Sequence, residues 1–205
     1  MSSAPDIEHA VEGIRSGRPV LLPTDTVYGL VASPYREDYA ARVYRLKGRD
    51  QAQPTALLAA SLELLFECVP ELRGRAGVIA RTLLPGPYTL VLSNPARRFR
   101  WLTGTRSDAI GVRVPALPPG AREVIDAVGC VLATSANDPG GQNPVSLSDV
   151  PSRIRAGCAA ELDRGALPGT PSTVIDFTGP EPVVIRDGAA PAAEALERVR
   201  RALAA

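Results

Sequence analysis

The chain has one histidine, one methionine and one tryptophan in 205 residues. Of its 23 basic residues, Lys47 is the only lysine, and the rest are arginines. These scarcities exclude several chemistries. A Ser-His-Asp or Cys-His relay would have to be built on His9. That residue lies in a stretch where Ile7, Val11 and Ile14 form one apolar stripe, so it reads as part of an ordinary surface helix. A zinc site fails for want of ligands. Lys47 follows Leu46 rather than glycine, so no P-loop is present, and no GxGxxG follows a strand. The three cysteines, Cys68, Cys130 and Cys158, are widely spaced and make neither a disulfide framework nor a CxxC metal pair. No stretch of 18 apolar residues occurs, so no bilayer-spanning helix is expected. The first residues lack a basic region followed by an apolar one, so no signal peptide is expected and the chain reads as reduced and cytoplasmic. A net charge of +1 excludes a strong global pull toward nucleic acid or an anionic membrane, while a local basic cleft remains open.

What is present supports one sizeable core. Hydrophobic residues make up 45% of the chain, enough for a single domain over residues 1–205. Gly and Pro are spread throughout as turn punctuation. Helical periodicity and caps predict helices over 5–16, 37–46, 62–68, 71–84, 119–128, 150–156 and 191–203. Short apolar runs predict strands over 19–23, 55–60, 88–92, 110–114 and 130–134, with residues 24–32 a loop entering another strand. Segments 172–177 and 182–186 read as a hairpin. The irregular alternation argues for an α/β (α+β) fold with a mixed sheet.

Five constellations could carry chemistry. Thr24 and Thr26 would share one side of an extended strand end in Pro23-Thr-Asp-Thr-Val-Tyr-Gly-Leu30, or would serve as turn residues. Lys47 and Arg49 flank Gly48, and an extended exit would point both cations the same way. A lone lysine among so many arginines marks a position suited to a compact ammonium. Arg113 lies in the strand Val112-Arg-Val-Pro115 and calls for a carboxylate partner, from the protein or from a ligand. Ser135 and Asn137 share a side in Thr134-Ser-Ala-Asn137, at the carboxyl end of a strand, where open α/β sheets gather ligands. Ser172-Thr-Val-Ile-Asp176 and Val184-Ile-Arg-Asp-Gly188 form the fifth. Separately, Arg97-Arg-Phe-Arg-Trp101 interleaves cations with aromatics, as RNA-binding loops do.

Taken in order, these segments resemble the threonylcarbamoyl-AMP synthase (YrdC-like) family in its short single-domain form. Pro85-Gly-Pro-Tyr-Thr-Leu-Val-Leu92 and Arg186-Asp-Gly-Ala189 add to the match. The resemblance implies a twisted mixed sheet flanked by helices around a large basic cavity. It implies a nucleotidyltransferase that joins L-threonine, bicarbonate and ATP into threonylcarbamoyl-adenylate and pyrophosphate. That product would feed the threonylcarbamoyladenosine modification of tRNA through a separate transferase machinery. The implied catalytic residues are Lys47, Arg49 and Arg113. Thr26, Arg113, Ser135 and Ser172 would hold the threonine and carbamate end; Lys47, Arg49, Asn137 and Arg186 would hold ATP. Magnesium is expected with the nucleotide, without assignable ligands, and no membrane partner is expected. The alternative is a YrdC-like RNA-binding module or a diverged paralogue.

Overall fold

Period-two alternation along the strands places every second side chain on the same face of the sheet. Leu21, Leu30, Leu57 and Leu132 pack into one hydrophobic cluster. Their chain neighbours Leu22, Val31, Leu58 and Val131 pack into a second. A strand that is apolar at consecutive positions calls for cover on both faces; the central strands have it, while the edge strand Val183–Arg186 is exposed along its length. The computed structural model describes residues 3–204.

Among the described residues nine strands form one mixed sheet: β1 (Val20–Pro23), β2 (Tyr28–Ala32), β3 (Ala56–Ala59), β4 (Tyr88–Ser93), β5 (Ala109–Arg113), β6 (Cys130–Ser135), β7 (Ala160–Glu161), β8 (Thr173–Asp176) and β9 (Val183–Arg186). Their spatial order is β7-β1-β2-β6-β3-β5-β4-β8-β9. The β1/β7, β3/β5 and β4/β8 pairs are parallel and the others antiparallel. The mixed sheet expected from the irregular alternation is therefore present.

On one face lie α1 (Ala4–Arg15) and α5 (Pro119–Val128), which contribute Ala10, Ile14, Val124 and Ile125 to the second cluster. On the other lie α2 (Glu37–Lys47), α3 (Leu62–Cys68), α4 (Gly74–Leu83) and α7 (Ala192–Ala204), which bury Val43, Leu65, Ile79 and Val199. The short α6 (Ser152–Ala156) adds Ile154.

The ends of the helices follow local chemistry. Ser3 and Asp6 form a capping box on α1. The Ser61 hydroxyl accepts from the Leu64 amide at the start of α3. α2 ends at Gly48 in the left-handed region, φ 68°, where glycine escapes the Cβ penalty. α4 starts at Gly74, later than the predicted 71, because Leu72 and Arg73 close tight turns onto Val69 and Glu71. The hairpin expected at 172–186 is β8/β9, with an irregular register at Val174/Ile175.

Candidate functional site

The face of the sheet that carries α1 and α5 is only partly covered by them. Beyond them, the strand positions on this face include Gly29, Ala56, Ala109, Gly111 and Ala133. These small residues leave a cavity of about 430 Å³. A Cβ added at Gly111 would sit 3.7 Å from Thr89 Cγ2 and 3.8 Å from Ala56 Cα, so even one methyl would fill space at the floor.

Four arginines line this cavity: Arg49, Arg106, Arg113 and Arg186. Arg113 projects from β5 on the same face as Gly111. Its partner is Asp25, in the four-residue loop joining β1 to β2, at 2.9 Å. The Asp25 carboxylate also accepts from the Ala116 amide at 3.3 Å. Both side chains of the pair are only 11% exposed. Burial pushes the Asp25 carboxyl up, against the pull of Arg113. Burial also lowers the Arg113 guanidinium, against the pull of Asp25. At 2.9 Å the ionised pair is the form that satisfies both groups. The carboxylate partner expected for Arg113 is thus a protein residue.

Arg106 donates to Asp176 at 2.7 Å and to Thr178 at 2.8 Å. Burial raises the Asp176 carboxyl, but bonds from Thr178 and Arg106 outweigh it and hold it below its ordinary value. Arg49 donates to Thr134 Oγ1 at 3.0 Å and to the Pro54 carbonyl at 2.6 Å. Arg186 donates to the Ser172 carbonyl at 2.9 Å and to Ser172 Oγ at 3.1 Å. Arg106 and Arg113 are thus each matched by a carboxylate. Arg49 and Arg186 bond only neutral oxygens, so two positive charges remain for an anionic ligand. Buried Nε atoms on Arg49 and Arg113 have no hydrogen-bond partner in the protein, which leaves donors to satisfy.

The hydroxyls expected at this site are present. Thr26, fully buried, has its Oγ1 3.0 Å from that of Thr24, within a turn rather than an extended strand end: Thr24 Oγ1 accepts from the Thr26 and Val27 amides, both at 3.2 Å. Ser172 Oγ lies 2.8 Å from Thr89 Oγ1. Thr24, Thr26, Ser135, Ser172 and Thr89 all line the cavity. Gly188 makes the Ser172 position attainable: a Cβ there would sit 2.3 Å from the Pro171 carbonyl oxygen.

Lys47, expected to share a phosphate clamp with Arg49, and Asn137, expected against the nucleotide, are engaged within the protein. Neither is among the residues lining the cavity. The Lys47 ammonium is buried and donates to the Ser135 carbonyl at 2.5 Å, the Asn137 carbonyl at 2.8 Å and Asn137 Oδ1 at 2.9 Å. Asn137 Oδ1 also accepts from Ser135 Oγ at 2.6 Å, and Asn137 Nδ2 donates to the Gly141 carbonyl at 2.7 Å. The lysine thus ties the end of β6 to the end of α2, and the compact ammonium has the box of acceptors that a planar fork would not fit. Burial first, then the nearby Arg49 charge, lowers Lys47 to about 8, with Asp138 opposing. Arg153 braces the same corner through the Leu46 and Lys47 carbonyls and Asp138.

Arg106, Asp176 and Arg153 were missed as site residues by sequence reasoning. Asp176 stood in a quoted motif without a role, and the two arginines lie in loop or short-helix contexts with no local signal. His9 is exposed on α1, and no histidine or cysteine lines the cavity among the described residues. Part of the basic-aromatic segment is engaged within the protein, while Arg97 and Arg100 stay exposed. Arg98 pairs with Glu71 at 2.8 Å, and Trp101 Nε1 donates to the Pro34 carbonyl at 2.8 Å. Phe99 packs tilted against Tyr35 at 5.9 Å and edge-on against Trp101 at 6.4 Å.

Among the described residues no helix is long and apolar enough to cross a membrane. No group of three His, Cys, Asp or Glu side chains is placed to hold a metal ion among them.

A family model for Sua5, YciO and YrdC proteins, described as telomere recombination, matches residues 12–188. A threonylcarbamoyl-AMP synthase of Pyrococcus abyssi is 35% identical over 91% of this chain and 54% of its own, so the chain spans about half the length of that relative. A putative threonylcarbamoyl-AMP synthase of Mycobacterium tuberculosis is 32% identical over 89% of this chain and 83% of its own. The solved structure of P. abyssi Sua5 complexed with L-threonine superposes with a TM-score of 0.84 over 94% of this chain and 56% of that one, at 35% identity. That of Escherichia coli YciO gives 0.82 over 96% and 95%, at 26% identity. Fold, motif order and these likenesses agree: the chain belongs to the Sua5/YciO/YrdC family.

Proposed function

We propose that this protein is a threonylcarbamoyl-AMP synthase, joining L-threonine, bicarbonate and ATP into threonylcarbamoyl-adenylate and pyrophosphate. The observation that carries the reading is the convergence of four arginines and a row of hydroxyls on one cavity whose lining, among the described residues, includes no histidine or cysteine. This reaction needs no protein nucleophile. Bicarbonate loses water to give carbon dioxide, which the amine of threonine captures as a carbamate with release of a proton; a carbamate oxygen then attacks the α-phosphorus of ATP, expelling pyrophosphate. Such a step is accelerated by positioning and by fixed charge at the anionic centres.

The roles divide by electrostatics. Arg49 and Arg186, which have no carboxylate partner, neutralise the triphosphate. Arg113, held by Asp25, offers a directed donor to the carboxylate or carbamate end, beside Thr26, Ser135 and Ser172. Arg106 lends a further cation at the Asp176 side. Lys47 and Asn137 act as positioning residues that fix Ser135 from beneath. The cavity's own carboxylate, Asp176, is already bonded to Arg106 and Thr178, so the protein offers no ready cage for magnesium. The ion arrives with the nucleotide as part of the substrate. The tRNA transferase machinery is the expected consumer of the product.

Pyrophosphate release, followed with ATP, magnesium and bicarbonate, tests this reading. Release should require L-threonine and should fall by roughly 100-fold or more in Arg49→Ala, the loss expected when one charge-stabilising donor is removed. Release that ignores threonine would refute it.

A further inference from the structure

Outside the cavity, two cysteines meet. Cys68 ends α3 and Cys130 begins β6, 62 residues apart in sequence, with their Sγ atoms 2.8 Å apart. Cys130 belongs to the first hydrophobic cluster, on the face of the sheet opposite the cavity. We propose that Cys68 and Cys130 are an oxidation site: Cys68 is oxidised by hydroperoxides, and Cys130 resolves the product into a disulfide.

The two sulfurs differ as such roles require. Cys130 is 1% exposed, whereas Cys68 is half-buried and reachable. The Tyr35 hydroxyl lies 3.6 Å from Cys68 Sγ, and Tyr35 itself is 54% exposed. Tyr35 packs tilted, at 56°, against Phe99 with ring centroids 5.9 Å apart, which holds its ring beside the sulfur. A Cys68 thiolate would therefore accept from two donors, the Cys130 thiol and the Tyr35 hydroxyl. The bond from Cys130, ahead of that from Tyr35, brings Cys68 down to about 7, with burial and Glu67 opposing. Cys130 moves the opposite way, because its proton is engaged by Cys68. A low, accessible thiolate beside a shielded second thiol is the arrangement that oxidant-sensing cysteines share.

The electron count closes. The Cys68 thiolate attacks the terminal oxygen of a hydroperoxide ROOH. An S–O bond forms, the O–O bond breaks, and ROH leaves after taking a proton. Cys130 sulfur then attacks Cys68 sulfur: the S–S bond forms, the S–O bond breaks, and the hydroxyl departs with the Cys130 proton as water. Two thiols and ROOH become a disulfide, ROH and water.

Cys158 provides an internal control. Its thiol donates to the Ile154 carbonyl at 3.1 Å, and burial pushes it up to about 12. Native protein at neutral pH should be alkylated by iodoacetamide at Cys68 at least about tenfold faster than at Cys158. Hydrogen peroxide should lower the titratable thiols of the denatured chain from three to one. Non-reducing peptide mapping should find Cys68 joined to Cys130, and dithiothreitol should restore all three thiols. In Cys130→Ser, the same treatment should leave a dimedone-reactive sulfenic acid on Cys68 and no intramolecular disulfide. Three thiols surviving peroxide, or Cys158 reacting as fast as Cys68, would overturn the proposal. Sulfinate accumulating on Cys68 without a disulfide in the unmodified sequence would also do so, since Cys130 would then not be resolving.

Discussion

Replacing Lys47 by methionine keeps the length and apolar stem of the side chain and removes the ammonium. The structure sets the size of the effect. The Ser135 and Asn137 carbonyls lose their buried donor, while Asn137 Oδ1 keeps the Ser135 hydroxyl. A buried acceptor left unsatisfied costs about 1–3 kcal/mol, so two orphaned carbonyls cost roughly 2–4 kcal/mol once relaxation is allowed. For a chain of this size that corresponds to a melting temperature lower by roughly 5–15 °C. The pH dependence has a definite sign. Lys47 binds its proton with a folded value of about 8 against an ordinary 10.5. Between those limits the unfolded chain holds more protons, so this group adds stability as pH rises through the window and loses it as pH falls through 8. The stability gap between the unmodified chain and Lys47→Met should therefore widen from pH 8 to 10.5. Urea denaturation at a series of pH values measures both quantities. A Lys47→Met variant within about 0.5 kcal/mol of the parent at pH 7, with no widening above pH 8, would refute the role given to the ammonium.

Other perturbations test neighbouring parts of the account. Arg113→Gln leaves Asp25 buried without its cation and should destabilise by about 3–5 kcal/mol; adding Asp25→Asn should recover much of that stability without restoring activity, as a double-mutant denaturation cycle would read. Gly188→Ala drives a methyl toward the Pro171 carbonyl, 2.3 Å away, and should both lower the denaturation midpoint and raise the KM for ATP through displaced Ser172 and Arg186. His9→Ala should leave steady-state turnover unchanged, because the residue is exposed on α1 and absent from the cavity lining.

Much of the fold was legible because its signals are local. α3 and α5 span the predicted residues, Leu62–Cys68 and Pro119–Val128, since a capping serine in one case and prolines in the other mark the start. β7 was not foreseen. It has two residues, and its place is fixed by parallel pairing of Ala160 and Glu161 with Val20 and Leu21 rather than by any alternation of its own. The site divides in the same way. Thr26, Arg113, Ser135, Ser172 and Arg186 stand at motif positions on strand ends or beside them, Arg49 stands just past the end of α2, and all six line the cavity. Arg106 lies in a loop whose sequence says nothing of Asp176, 70 residues on, which holds it. Lys47 shows the limit from the other side. Two-residue spacing from Arg49 suggests a shared clamp, yet the acceptors that claim its ammonium come from residues 88 and 90 positions away. Long-range partners decide where a charged group points, and no local pattern carries them.

The identity of the product separates the proposed reaction from any other use of ATP. The protein would be incubated with ATP, magnesium, L-threonine and isotope-labelled bicarbonate, and the adenylate fraction analysed at once by mass spectrometry. The account predicts an adenylate bearing both the threonine skeleton and the labelled carbon, formed in step with pyrophosphate. An adenylate of threonine without that carbon, or AMP release with no threonine adduct, would contradict it.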